Sequence, residues 1–384
     1  MHIVLASSSS GSRGGGEIYL TYLGEALSNR GHDVTLWVSD AEKMDDLAAS
    51  FESIGTVVRA PYTNTYDHST RVLATAFNTS LSRSIARQWE DLGADVVHVN
   101  KQNLEDGLDL LRAGRYADVS SVCTIHITQS ARYLDAQFAG LRDWTSRREL
   151  QRFGGPFITV QEQRKEDLLR FLGGRGDVVA INNGVPLYDV PFPENVRAQK
   201  RDALGISEDA LLFLAVGRLE KQKRPLFFLE QAARLHEALP HARFAWVGDG
   251  RLANEWETQR RALGLEDVVQ CAGWQDDVEP FYAAADMFLH VAAFEGLPLA
   301  LIEAMSARLP CVIPTSLLND FRAISDSHVL CLEESSLTET LQSAHERDAV
   351  AERGRTLVEE CLSVGTMAQQ YEYVYRSAIQ SSSS

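Results

Sequence analysis

Short apolar runs recur along the chain, each followed by a stretch whose apolar residues return every three or four positions. Residues 2–7 form the first run. Residues 17–30 form the first stretch, with Ile18, Leu20, Leu23, Ala26 and Leu27 on one side and Gly31 at its end; a second run follows at 34–38. A continuous apolar run reads as a buried strand and helical spacing as an amphipathic helix, so the opening is a strand–loop–helix–strand unit. Further strands are expected at 56–60, 95–99, 122–126, 157–160 and 178–181, and helices at 73–92, 106–113, 142–152 and 161–172. A polar, proline-rich stretch at 189–199 reads as a linker. Beyond it, residues 201–204 are helical up to Gly205, and strands are expected at 210–216, 243–247, 268–272, 286–291, 309–315 and 329–332. The 210–216 strand carries no charge, as a parallel strand buried on both faces should not. Helices are expected at 226–239 behind Pro225, up to 284 from a cap at Asp276-Asp277, and at 299–306, 337–344, 350–360 and 364–379, with a disordered tail at 381–384.

Ligands of open parallel sheets bind beyond the carboxyl ends of the strands, so residues there carry the candidate chemistry. After the first strand comes a polar loop ending in Gly14, Gly15 and Gly16, where backbone N–H groups can approach a phosphate or sugar oxygen. It is neither the dinucleotide G-x-G-x-x-G nor a Walker A sequence. The 61–70 loop holds Tyr62, Tyr66, Asp67 and His68 and reads either as an acceptor-site wall or as plain surface. His126 ends a strand, where it either makes a structural hydrogen bond or faces a ligand; Asn100 and Gln102 end the preceding one. Arg132 is an anion contact or a partner of Asp135 or Glu149, in front of a charged, mostly solvated 142–152 helix. In the second half, Arg218 and Lys223 flank a helix start, the arrangement of positive charge and N–H groups that a diphosphate needs. Gly248 and Gly250 mark a tight turn, and Trp274-Gln275 follows a strand, with Trp274 either near a ligand or covering the domain border. Glu295 leaves the 286–291 strand, Gly296-Leu297-Pro298-Leu299 turns the chain, and Glu303 lies inside the next helix. His290 is either a ligand contact or a packing residue.

With 384 residues the chain is long enough for two or three domains. The net charge of −16 argues against a general nucleic-acid binder or a polybasic membrane-surface protein, while leaving room for a local basic pocket. The five cysteines lack metal-ligand spacing; Cys123, Cys271 and Cys311 lie in apolar runs and are expected as core residues of a cytosolic protein. No run approaches the roughly 20 apolar residues of a membrane span, and the N-terminus reads as a strand rather than a signal peptide.

Glu295 and Glu303, eight positions apart, with Gly217-Arg218 and Lys223 upstream, resemble the paired-glutamate and G-R-x-x-x-x-K signatures of retaining glycosyltransferases of family 4 (group 1). Thr124-Ile125-His126 resembles the family's T-x-H segment, Asn183-Gly184-Val185 its N-G-V turn and Gly248-Asp249-Gly250 its G-x-G turn. The resemblance implies the GT-B fold: α/β, two Rossmann-like domains facing across a cleft. Residues 1–188, with a returning C-terminal helix at about 366–380, would be the acceptor domain, and 189–365 the donor domain. It implies that Arg218 and Lys223 hold the donor diphosphate, Glu295 the sugar and Glu303 the ribose. Gly15 and Gly16 would face the donor phosphates, Gly248, Gly250, Trp274 and Gln275 the nucleotide, and His126 the sugar or acceptor. Segment 296–299 would complete the donor pocket.

Several positions depart from the family's pattern. Asn100 stands where a histidine is usual, Pro186 where an aspartate is, Arg224 where glycine is, Val291-Ala292 for Pro-Ser, and 316–320 for a glycine pair. The expected activity is transfer, with retention, of a hexose or N-acetylhexosamine from a nucleotide sugar (UDP before GDP) to a hydroxyl of a small-molecule, saccharide or lipid-linked acceptor. The chain carries no Asp-x-Asp metal motif near the diphosphate site, which suggests that no metal or other cofactor is required. A monomer or homodimer is expected, cytoplasmic, with or without peripheral membrane attachment, and without nucleic-acid partners. The competing readings are a nucleotide-sugar epimerase and a non-catalytic nucleotide-sugar-binding protein on the same plan.

Overall fold

The structure is a computed structural model that describes residues 1–11, 14–68 and 79–382. It divides into two compact units: Met1–Gly184 together with the chain from Val364, and Val185–Ser363. The borders lie within a few residues of the expected 188/189 and 365/366.

Seven strands form the sheet of the first unit: β1 His2–Ser7, β2 Asp33–Ser39, β3 Thr56–Ala60, β4 Val96–Asn103, β5 Ser120–Ile127, β6 Phe157–Thr159 and β7 Val178–Ala180. They pair in parallel in the order β3-β2-β1-β4-β5-β6-β7. The order reverses between β1 and β4, which opens a crevice at their carboxyl ends. Val4, Trp37, Val97, Ile125, Phe157 and Trp89 lie in one core. Each large apolar side chain buried there contributes roughly 1.5–3 kcal/mol relative to exposure.

The second unit repeats the plan with β8 Leu211–Val216, β9 Ala242–Val247, β10 Val269–Gly273, β11 Met287–Leu289, β12 Cys311–Ile313 and β13 Leu330–Cys331. Their order is β10-β9-β8-β11-β12-β13, all parallel, with the reversal between β8 and β11. Its separate core centres on Phe213 stacked on Phe244 at 5.0 Å, with Phe228, Trp246, Met287 and Val312 around them.

Several expectations need correction. The supposed linker contains a helix, Glu194–Ala203, whose Arg197 and Arg201 reach Asp286 at 2.7 and 3.2 Å and the Ala284 carbonyl at 3.0 and 2.8 Å. Its polar composition reflects this ion-paired docking, which apolar periodicity does not detect. A helix at Asp45–Phe51 was not expected; at seven residues it is too short to show a period. Cys123 and Cys311 are buried, but Cys271 is exposed, because β10 is the edge strand. The expected helix at 73–92 is found as Thr79–Asp91, and its first part, 73–78, lies outside the described residues. The last helix, Val364–Ser382, takes in Ser381; 383 and 384 lie outside the described residues, as do Ser12 and Arg13 of the first loop and 69–70 of the aromatic one. Tyr62 is core: it meets Trp37 edge-on and donates to Asp109 at 3.3 Å. Glu149 pairs with Arg112 at 3.0 Å and not with Arg132, which makes no ion pair among the described residues.

Candidate active site

The first unit places its glycine-rich helix start against the ends of β4 and β5. The helix Gly15–Asn29 begins behind an extended Gly14, with Gly15 exposed and Gly16 buried. Asn100 donates its amide to the Gly16 carbonyl at 3.2 Å, and its Oδ1 lies 2.7 Å from His126 Nε2. A carbonyl can only accept, so this pairing orients the amide, and the Oδ1 left over obliges His126 to donate from Nε2. The ring's acceptor is therefore Nδ1. Tyr19 packs edge-on against the imidazole at 4.7 Å, and burial lowers the pKa of His126 to about 4, so it is neutral at pH 7. Asn100, fully buried, is thus the link between helix start and histidine rather than an exposed polar group. A Cβ on Gly16 would sit 2.0 Å from Gln102 Nε2, so Gln102 occupies the space this glycine leaves.

In the second unit the candidates converge at the β8/β11 reversal. Gly217 N bonds to the Val247 carbonyl at 2.9 Å, Leu219 N to Asp249 O at 2.7 Å and Gly248 N to Gly273 O at 2.7 Å. The turns after β8, β9 and β10 are therefore tied side by side through their backbones. Gly248 has φ +128, and a Cβ there would lie 2.2 Å from the Gly217 carbonyl; one on Gly250 would lie 2.6 Å from that of Leu219. Only glycine permits this approach.

Lys221–Lys223 forms one turn of 3-10 helix, whose Gln222 accepts from Ala293 N at 2.8 Å and donates to the Phe294 carbonyl at 3.1 Å. This clamp carries Lys223 to Glu295. The two are ion-paired, with the lysine four-fifths and the glutamate more than nine-tenths covered. Both were expected as ligand contacts, and the structure sets them face to face at the switch point. Arg218 stands exposed beside them and makes no ion pair among the described residues. Arg224 occupies the position that glycine holds in the resembled pattern and has the left-handed backbone, φ +52, that glycine would favour; its guanidinium lies over Phe227 at 3.8 Å.

The turn Gly296-Leu297-Pro298 and Leu299 are buried, and the helix Leu299–Ser306 begins at the expected residue. Glu303 is 4% exposed and accepts from the Tyr282 hydroxyl at 2.8 Å, which sets the direction of its carboxylate. His290 is stacked on Phe288, with Nε2 3.6 Å from Glu295 Oε1 and without a hydrogen-bond partner among the described residues. Burial, reinforced by the Lys223 charge, lowers its pKa to about 3. Trp274 donates its indole N–H to Asp276 at 3.0 Å, and Gln275 donates to the Ala272 carbonyl at 2.8 Å, so both side chains are held locally. Gln222 and Tyr282 were not anticipated. Gln222 fills a variable position of the G-R-x-x-x-x-K segment and Tyr282 lies in no recognisable motif, so only their contacts with Glu295 and Glu303 reveal them. Among the described residues no three His, Cys, Asp or Glu side chains are grouped to hold a metal ion.

This architecture matches known proteins over its full length. HepE of Anabaena, solved with UDP-glucose, superposes with a TM-score of 0.77 at 19% identity, covering 98% of this chain and 99% of the other. Sucrose-phosphate synthase of Thermosynechococcus elongatus gives 0.79, also at 19% identity, covering 99% of each chain. At these identities the likeness establishes the two-Rossmann GT-B fold. In sequence, the UDP-Gal:alpha-D-GlcNAc-diphosphoundecaprenol alpha-1,3-galactosyltransferase of Escherichia coli is 34% identical over 139 residues, 35% of this chain and 36% of that protein. Alpha-monoglucosyldiacylglycerol synthase of Acholeplasma laidlawii is 24% identical over 241 residues, 59% of this chain and 60% of that protein. The chain thus spans a little over a third of the first relative's length and three-fifths of the second's. The family model for glycosyltransferase family 4 matches residues 13–188, and that for group 1 glycosyl transferases matches 210–341. Between them they take in most of both units, and the chain belongs to the group 1, family 4 glycosyltransferases.

Proposed function

We propose that the protein is a retaining glycosyltransferase that moves a hexose or N-acetylhexosamine from a UDP-sugar to a hydroxyl of a saccharide, lipid-linked or small-molecule acceptor. The observation that carries this reading is the Lys223–Glu295 pair at the β8/β11 switch point, beside the bound-together turns at Gly217, Gly248 and Gly273. An arriving diphosphate competes with Glu295 for Lys223. Once the lysine turns to phosphate, the carboxylate is released to accept hydrogen bonds from the sugar hydroxyls, so one exchange readies both halves of the donor site. Arg218 adds a second positive charge for the departing diphosphate. By analogy with an oxyanion donor, each such contact contributes about 2.7–4 kcal/mol to the transition state.

In this reading Glu303, aimed by Tyr282, holds the ribose, the neutral His290 meets the sugar, and His126 serves the sugar or the acceptor. Attack occurs on the face the diphosphate leaves, with a phosphate oxygen taking the acceptor proton, and the two cations do the work a metal would otherwise do. Support for UDP comes from the HepE complex with UDP-glucose and from the UDP-Gal named as donor of the Escherichia coli relative, and support for a lipid-linked acceptor from that relative's diphosphoundecaprenol substrate.

Donor turnover, followed by mass spectrometry with candidate acceptors, tests this. Lys223→Ala should lower turnover about 100-fold or more and weaken UDP binding. Glu295→Ala should abolish transfer while UDP still binds. Unchanged turnover in both variants would sink the assignment, and an isomerised nucleotide sugar formed without acceptor would identify an epimerase. Chelation by EDTA should leave the rate unchanged.

A further inference from the structure

The helix Ala139–Leu150 in the first unit is turned inside out. Its buried residues are Thr145, Ser146, Glu149 and Leu150, whereas Leu141 and Trp144 point to solvent. Of the ten large apolar side chains exposed among the described residues, five lie within positions 133–144: Tyr133, Leu134, Phe138, Leu141 and Trp144. Single exposed apolar residues are ordinary, but a contiguous group marks an interaction surface.

The backbone supports the same conclusion. Phe138 has φ +56 and Asp135 φ +49, half of the non-glycine residues in that region among those described. A left-handed phenylalanine is strained, and this one is 81% exposed. Burial in the folded protein therefore does not explain why it is held there. The preceding turn is rigidly attached: Asp143 accepts from Ala131 N at 2.7 Å and Arg132 N at 3.3 Å. Leu141 and Trp144 follow at helical spacing on the exposed side of the helix, and Phe138 stands at the cap just before it.

Charge decides the partner. The exposed rim carries Arg132, whose guanidinium lies 3.7 Å from where a Cβ on Gly140 would be, and Arg147 and Arg148, the latter over the Trp144 ring at 5.5 Å. Against them stands the exposed Asp135. A chain of net charge −16 thus sets its outward-facing aromatics among arginines. Aromatic residues in an arginine frame suit an anionic lipid surface, where rings sit at headgroup depth and guanidinium groups meet phosphate. A second copy of the patch would bring the arginines against one another.

We propose that segment 132–148 docks the protein on anionic lipid bilayers. This does not depend on the transferase reading, which donor turnover in solution tests separately. The experiment is sedimentation of the full chain with vesicles of phosphatidylcholine alone or mixed equally with phosphatidylglycerol. The protein should pellet with the mixed vesicles, not with phosphatidylcholine alone, and bind less as salt rises. Arg147→Gln with Arg148→Gln should lower partitioning about tenfold or more. Phe138→Gly, which suits the left-handed backbone, should lower it too while the melting temperature holds or rises, separating lost docking from lost folding. Wild-type protein that stays in the supernatant, or variants that partition like wild type, would overturn the proposal. So would a dimer in solution that Phe138→Gly dissociates while no vesicle is bound, since a second copy would then cover the patch.

Discussion

Glu372 accepts from Arg30 at 2.8 and 3.0 Å and lies 2.7 Å from His32, all within the first unit. The Arg30 hydrogen bonds, with help from His32, lower its pKa from 4.5 to about 2. A carboxylate depressed in the folded state contributes stability above its unfolded pKa and loses it as pH falls through the folded one. Its share is therefore complete above about pH 4.5 and lost toward about 2. Arg30 is partly exposed and solvent screens the pair, so Glu372→Gln should cost about 1 kcal/mol at pH 7 and nothing near pH 2, as read by denaturant melts. Gly248 makes a sharper case: its positive φ and the Gly217 carbonyl beneath it predict that Gly248→Ala costs roughly 1–3 kcal/mol and disturbs donor binding, measured by chemical unfolding and UDP titration. At this scale the sequence showed which residues to suspect but not how they meet. Lys223 and Glu295 were legible singly, because turn chemistry and charge are local. Their pairing across 72 positions was not, nor was the amide of Asn100 that sets the tautomer of His126.

The helix Val364–Ser382 shows how an element can be legible while its anchoring is not. Its apolar spacing announces it, but its polar tyrosines hold it. Tyr375 OH lies 2.8 Å from His98 Nδ1, and Tyr371 OH 2.9 Å from Thr124 Oγ1, which is itself 2.7 Å from His98 Nε2. Burial lowers the pKa of His98 to about 3, so the imidazole enters this network neutral. Tyr375→Phe leaves a buried ring nitrogen without its partner and should destabilise the first unit by about 1–3 kcal/mol. Amide exchange in the helix measures the loss, and an unchanged exchange rate would remove the tyrosine from this role. The elements that sequence reasoning missed share a cause: Glu194–Ala203 and Asp45–Phe51 are short or docked by ion pairs, and hydrophobic periodicity is blind to both. The helix Ala139–Leu150 was expected a few residues further on, at 142–152, and it buries Thr145, Ser146 and Glu149 beside Leu150 while Leu141 and Trp144 face outward, which no binary pattern foretells.

Each unit holds its own core around its own parallel sheet. A ligand that binds one native unit stabilises that unit by mass action, about 2.7 kcal/mol at a hundredfold excess over Kd. UDP should accordingly slow amide exchange around 216–224 and 290–303, with a smaller effect or none in the β-strands of the first unit. Protection confined to the first unit would contradict the donor assignment.

The sequence by itself determined the strand–helix rhythm, the suspect residues at strand ends and the family resemblance, because each is written in neighbouring positions. Tertiary structure decided three things that sequence spacing does not carry: that Lys223 and Glu295 neutralise one another at the reversal of the sheet, that Asn100 orients His126, and that Ala139–Leu150 turns Leu141 and Trp144 outward among its arginines. Strand order brings the first two together, and packing exposes the third. Neither can be read from spacing along the chain.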